Sequence, residues 1–285
     1  MFRNMNPGAI GIKGSMAEVL PLARDAGFEG IDLNVRQAGS IAKEKSIDEV
    51  QRMFADAGMR MGGWGLPVDF RKDEETHQQG LQQLPELAKI GRALECTRVP
   101  TWVRPVSDEL AFKENFELHA RRLRGCAEIL RDHGCWLGLE FVAPKTSRIG
   151  HKYEFIHDLP GMLELCDEIG TGNVGLLLDC WHWYTAHGTI EQIRSLRPEQ
   201  VVYVHVNDAP AGVAVDEQID SVRCLPGATG VIDIAGFLKA LAEIGCTAPV
   251  TPEPFVKELR EMPAAEAAKT VGETMDKIWQ AGGLA

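Results

Sequence analysis

Eight short β-rich runs alternate along this chain with segments of helical apolar spacing, and that alternation constrains the fold more than any other feature. The runs lie near Ala9–Lys13, Gly30–Asn34, Met61–Leu66, Thr97–Val103, Trp136–Val142, Val174–Cys180, Val201–Asn207 and Val250–Phe255. Between and after them, Met16–Ala26, Ile47–Ala57, Leu81–Leu94, Phe116–Asp132, Met162–Ile169, Ile190–Leu196, Ile234–Ile244 and Ala264–Trp279 read as helices. Ser46-Ile47-Asp48-Glu49 is a capping box, and Ser107-Asp108-Glu109 opens the fourth helix with a cap and first-turn acids. Several helices end on Gly, as at Gly58 and Gly170, where a left-handed residue is wanted. Strand then helix, repeated eight times, describes an α/β chain closed into a (β/α)₈ barrel. A doubly wound sheet would carry a dinucleotide fingerprint after its first strand, and Gly11-Ile12-Lys13-Gly14 lacks the spacing.

The 285 residues suit one barrel, a fold of roughly 250 residues, and no linker or composition break divides them. Residues 1–285 are therefore expected to form a single domain. A formal charge of −11 opposes nucleic-acid binding, which depends on Lys and Arg at phosphates. The seven cysteines are odd in number and form no C-x-x-C pair, the pattern of reduced thiols. With no signal-peptide core and no membrane-length apolar run, a cytoplasmic protein without membrane contacts is expected.

Four runs end in a metal-type side chain: Glu140, Asp179, His205 and Glu253. In a parallel barrel the C-terminal strand ends form the active-site rim, and strands 5 to 8 lie side by side there. One such carboxylate can cap a helix or pair with Arg. Four converging carboxylates and imidazoles call for a cation or protons among them. Three carboxylates and one imidazole suit one divalent ion, Mn²⁺ first, with Mg²⁺, Co²⁺ or Zn²⁺ as alternatives.

On Gly138-Leu139-Glu140, Leu178-Asp179-Cys180-Trp181-His182, Val204-His205-Val206-Asn207-Asp208, Arg223-Cys224-Leu225-Pro226-Gly227 and Glu253-Pro254-Phe255, the chain resembles the xylose isomerase-like TIM-barrel superfamily, the sugar phosphate isomerase/epimerase group. The resemblance spans essentially the whole chain. It implies that Glu140, Asp179, His205 and Glu253 bind one metal and that His182 and Arg223 hold substrate oxygens. It further implies that Glu140 and Glu253 face each other across a sugar and move a proton on and off a carbon beside a carbonyl. Such positioned acid–base catalysis contributes about 10²–10⁴-fold. The expected activity is a metal-dependent isomerase or epimerase of a sugar or keto-polyol. The alternatives are a dehydratase of a keto-polyol such as an inosose, and a non-catalytic sugar-binding barrel.

Weaker candidates line the same rim. Trp64, Trp102, Arg104 and Lys13 end strands 3, 4 and 1, and Trp181, Trp183 and Tyr184 cluster after strand 6. Lys145, Arg148, His151 and Lys152 make the loop after strand 5 basic, either for an anionic substrate or as a solvated loop. Trp64 and Lys145 are carried as substrate-contact candidates, and the Trp183 cluster as an interface in a homo-oligomer. Two departures narrow the resemblance. Ketose 3-epimerases and hydroxypyruvate isomerases carry a Pro-x-Asn-Arg-like segment after the strand-5 Glu, where this chain has Phe141 to Arg148; inosose isomerases and dehydratases stay open. Endonuclease IV adds His ligands on strands 2 and 3 and an Asp-x-His pair, and this chain has no His near Asn34 or Leu66 and reads Ser221-Val222-Arg223 at the pair position.

Overall fold

The computed structural model describes residues 1–284. Eight parallel strands build the core: β1 (Phe2–Met5), β2 (Gly30–Ile31), β3 (Arg60–Met61), β4 (Arg98–Val103), β5 (Trp136–Phe141), β6 (Val174–Asp179), β7 (Val201–Val206) and β8 (Pro249–Pro252). Their ladder order is β3-β2-β1-β8-β7-β6-β5-β4. Just beyond β3, the Trp64 and Leu66 amides donate to the Arg98 and Pro100 carbonyls at 3.1 and 3.0 Å, which joins the two ends into a barrel.

Helices follow every strand: α1 (Met16–Asp25), α2 (Val35–Glu44), α3 (Ile47–Ala57), α4 (Glu74–Ala93), α5 (Phe112–Asp132), α6 (Leu159–Ile169), α7 (Cys180–Thr185), α8 (Ile190–Arg194), α9 (Ile234–Glu243) and α10 (Ala264–Ala281). Their apolar stripes and the outward residues of the strands, such as Leu137, Leu139 and Phe141 of β5, make the main core. None of the helices among the described residues is long and apolar enough to cross a membrane. Gly58 and Gly170 end α3 and α6 with φ of 66° and 69°, a conformation that releases the chain into the next strand. The Ser46 hydroxyl accepts from the Glu49 amide at 3.1 Å and starts α3 as expected.

Two expectations are corrected. The first strand is Phe2–Met5, and a 3₁₀ turn at Gly8–Ile10 overlaps the start of the expected run Ala9–Lys13. The fourth helix begins after Ala111: Ser107 lies in a two-residue strand paired with Tyr153–Glu154, and its hydroxyl accepts from the Glu109 and Leu110 amides to shape a loop turn.

The barrel interior beneath the C-terminal rim is polar. The Asn4 amide group donates to Asp32 (2.8 Å), Tyr203 (3.0 Å) and Thr251 (2.9 Å), and the Thr251 hydroxyl donates to that of Tyr203 at 2.7 Å. Gly62 gives this cluster room, since a Cβ there would sit 2.2 Å from the Asn4 carboxamide oxygen. This layer draws on three strands and the residue after β2, and the Asn4 carboxamide oxygen is left without a partner among the described residues.

Candidate active site and metal centre

Glu140 and His205 are the penultimate residues of β5 and β7, Asp179 is the last of β6, and Glu253 follows β8 directly. One ligand atom from each of the four lies within 4.8 Å of all the others. That span matches donors placed about 2.0–2.6 Å from one shared cation, so the donor set fits a single divalent ion in chemistry and in reach. His205 Nδ1 sits 3.2 Å from Glu140 Oε1 and 3.5 Å from Glu253 Oε2, within reach of both glutamates.

Local structure fixes each group. Asp179 is the N-cap of α7: one oxygen accepts from the Trp181 amide at 2.8 Å and from Asn207 Nδ2 at 3.1 Å. Its other oxygen accepts from Arg223 Nη1 at 2.8 Å. Arg223 is 5% exposed and also donates to Glu253 Oε2 (3.2 Å) and to Asp220 Oδ1 (2.8 Å). Its guanidinium packs over the Phe255 ring at 4.4 Å. Phe255 takes φ of 48°, a costly conformation for an aromatic residue, at the turn that carries the chain past Glu253. His182 is buried, and its Nδ1 accepts from the Ala143 amide at 3.3 Å. That assignment leaves the ring proton on Nε2, which lies 3.3 Å from Arg223 Nη2. Nε2 also lies 3.8 Å from Asp220 Oδ1, the oxygen to which Arg223 Nη2 donates at 2.8 Å, so the two donors converge on a carboxylate of the fold.

The electrostatics follow from burial and charge. Burial pushes the Glu140 carboxyl up to about 7, against the pull of His205. His205 is held up to about 10: burial works against its charge, and Glu253, Glu140 and Asp179 together outweigh it. Burial also works against the Asp179 carboxylate, yet Arg223 keeps its pKa below the usual value. Burial pushes His182 down to about 4, so it is neutral at pH 7. Left to itself the cluster collects protons to offset its negative charge, the behaviour expected of a site whose donors suit a cation.

The other sequence candidates lie apart from this cluster. Lys145 is exposed and pairs with Asp216 at 3.2 Å. His151 and Arg148 in the same loop pair with Asp108 and Glu154, which favours the solvated-loop reading. Trp64 is 1% exposed, and its indole N–H donates to the Cys96 carbonyl at 2.9 Å, so the ring is packed into the wall. Trp183 is buried against Phe237 and donates to the Thr189 carbonyl at 3.2 Å, and Trp181 is buried as well. Trp102 is 44% exposed, in register with Glu140, with Arg71 over its ring at 4.4 Å.

Sequence reasoning missed Asp32, Asn207, Asp208 and Asp220. Asp32 directly follows β2 as Glu253 follows β8, so a similar signal was present. Its carboxylate accepts from the Tyr203 hydroxyl, at 2.7 Å to one oxygen, and from the Gly63 amide at 3.2 Å. Asp208 belongs to the motif around His205, and it accepts from four backbone amides, those of Ala209, Thr229, Gly230 and Ile232, at 2.8–3.0 Å.

A family model described as xylose isomerase-like TIM barrel matches residues 20–278, and the chain belongs to this family. An inosose isomerase of Bacillus velezensis is 24% identical over 93% of this chain and 92% of its own length. A 3-dehydroshikimate dehydratase of Pseudomonas aeruginosa is 28% identical over 89% of this chain, which spans 38% of that longer protein. Among solved structures, a xylose isomerase domain protein from Alicyclobacillus acidocaldarius superposes with a TM-score of 0.86 at 30% identity over 99% of both chains. The IolI protein with a bound zinc atom superposes with a TM-score of 0.79 at 21% identity over 98% of both.

Proposed function

We propose that this barrel is a divalent-metal-dependent isomerase or epimerase of a cyclic or open-chain keto-polyol, with Glu140 and Glu253 as its proton-transfer pair. The observation that carries the reading is the convergence of Glu140, Asp179, His205 and Glu253 to within 4.8 Å, with His205 Nδ1 3.2 Å from Glu140 Oε1 and 3.5 Å from Glu253 Oε2. The ion these four hold supplies Lewis-acid stabilisation of negative charge on the substrate, worth several kcal/mol. His182 Nε2–H and the Arg223 guanidinium donate to substrate oxygens and set the ring or chain against the glutamates. One glutamate removes the proton from a carbon beside the carbonyl, and the C–H electron pair moves toward the carbonyl oxygen. The other glutamate returns a proton. Delivery to the opposite face of the same carbon gives the epimer; delivery to the neighbouring carbon moves the carbonyl. The likeness to an inosose isomerase over most of both chains supports a keto-polyol.

An oxygen-rich donor set supports Mn²⁺ as the ion, and the zinc in the IolI structure makes Zn²⁺ its rival. Free cysteines throughout the chain support a reducing, cytoplasmic setting. The dehydratase match supports one rival chemistry, in which the same proton abstraction is followed by loss of a neighbouring hydroxyl as water.

Deuterium wash-in tests the reading. The Mn²⁺- or Zn²⁺-loaded protein is incubated in D₂O with ketoses and keto-inositols and followed by NMR and mass spectrometry. Deuterium beside the carbonyl, with the carbon skeleton and hydroxyl count retained and the signal at least 10²-fold slower in Glu253→Gln, is the expected result. Loss of one water from the substrate would establish the dehydratase. Metal bound without exchange in any compound would remove catalysis on these substrates.

A further inference from the structure

Arg223 reaches the cluster from the segment between β7 and α9, and its guanidinium is divided between two kinds of partner. Nη1 serves the metal-type residues: it donates to Asp179 Oδ2 at 2.8 Å and to Glu253 Oε2 at 3.2 Å. Nε and Nη2 are taken by one residue of the same segment, donating to the Asp220 carbonyl at 2.9 Å and to Asp220 Oδ1 at 2.8 Å. Asp220 lies outside the set of four that can share an ion. The Arg223 side chain is 1% exposed, so water screens its charge little, whereas the Asp220 side chain is 33% exposed.

The fold thus keeps a fixed positive charge on two of the four donors whether or not an ion is bound. Glu140, Asp179 and Glu253 offer as many as three negative charges to an incoming dication, and binding leaves one. Arg223 is attracted to both states and more strongly to the empty one. A group that stabilises the empty site more than the filled one lowers the affinity for the ion, by linkage. Asp220 acts with the opposite sign: its carboxylate is repelled more by the empty cluster, and it cancels part of the Arg223 field.

We infer that Arg223 and Asp220 form a charge pair that sets how tightly this centre holds its ion: Arg223 weakens the hold, and Asp220 restores part of it. The inference rests on the metal-centre reading of Glu140, Asp179, His205 and Glu253. It adds to the role of Arg223 toward substrate oxygens a second role toward the ion. An ion held against a neighbouring cation exchanges with solution, so the occupancy of the site follows the supply of divalent ion.

Calorimetric titration of the chelator-stripped protein with Mn²⁺ and with Zn²⁺, without substrate, reads the Kd directly. Arg223→Met keeps the length of the side chain and removes its charge; it is expected to lower Kd about tenfold or more. Asp220→Asn keeps an oxygen for Nη2 and the carbonyl for Nε and removes the charge alone; it is expected to raise Kd about three- to tenfold, partial exposure limiting the effect. Both signs are required. If Arg223 serves instead to hold the two carboxylates in place, its loss weakens the ion about 10–100-fold, as loss of other outer partners of metal ligands does, and the inference is overturned. A Kd unchanged in either variant overturns it as well, and leaves the metal centre standing. If Arg223→Met does not fold, Asp220→Asn decides: weaker binding sustains the inference, and equal or tighter binding ends it. A parent that binds neither ion removes the metal centre itself, and the inference with it.

Discussion

Asp32 holds its charge where the barrel solvates it poorly. Burial raises its carboxyl to about 6, against the hydrogen bonds from Tyr203 and Asn4 that favour the anion. The sign of the consequence follows from proton counts. Between the unfolded value near 3.8 and about 6, the folded state binds the Asp32 proton more tightly than the unfolded chain does. The favourable contribution is whole below the unfolded value and is lost as pH rises through about 6. Asp32→Asn has no such titration. The stability of the parent minus that of Asp32→Asn is therefore expected to fall by on the order of 1–3 kcal/mol between pH 4 and pH 7, the lower end reflecting partial solvent access. Urea midpoints of both proteins at four pH values measure it. A difference that stays flat would mean that folding leaves Asp32's ionisation alone. A residue that lowers stability at neutral pH and lies in a cleft is the kind retained for function.

At the scale of elements, the long segment between β7 and α9 decides where Arg223 sits. Asp208 gathers four amides of this segment, and its own backbone exchanges hydrogen bonds with Cys224 at 2.9 and 2.8 Å, next to Arg223. Removing a buried carboxylate leaves those four donors without their acceptor. Asp208→Ala is expected to cost on the order of 3–5 kcal/mol. Amide exchange should speed up first at Thr229, Gly230 and Ile232, while β7 stays protected; uniform loss of protection would instead mean that Asp208 supports the whole barrel. The elements differ in how plainly the sequence announces them. Glu140, Asp179 and His205 stand out because each ends or nearly ends a strand that is otherwise apolar, and Val201–Val206 is buried throughout. β1 is hidden because it turns Asn4 inward to a polar layer, so Phe2–Met5 lacks the apolar run that Ala9–Lys13 mimics. α2 is hidden by Gly39, which helix propensity disfavours and which packs against the tip of the Ile90 side chain.

For the molecule as a whole, the cluster ties together chain segments that are far apart in sequence. Residues 140, 179, 205 and 253 hang from four neighbouring strands, and in the unfolded chain they are dispersed. An ion that binds only the folded state stabilises it by RT ln(1 + [M]/Kd), about 2.7 kcal/mol at a hundredfold excess over Kd. In a chain of this size that amounts to a rise in Tm of roughly 4–5 °C. The protein stripped with a chelator and then titrated with Mn²⁺ or Zn²⁺ should show this rise by calorimetry, and Asp179→Asn should lose most of it. An equal rise in the variant would place the ion elsewhere, at exposed carboxylates that an acidic chain offers in number. The comparison is informative because Asp179 serves two neighbours at once. Its loss also frees Arg223, so the variant should start from a lower metal-free Tm, and the ion's contribution is read as the change on loading within each protein.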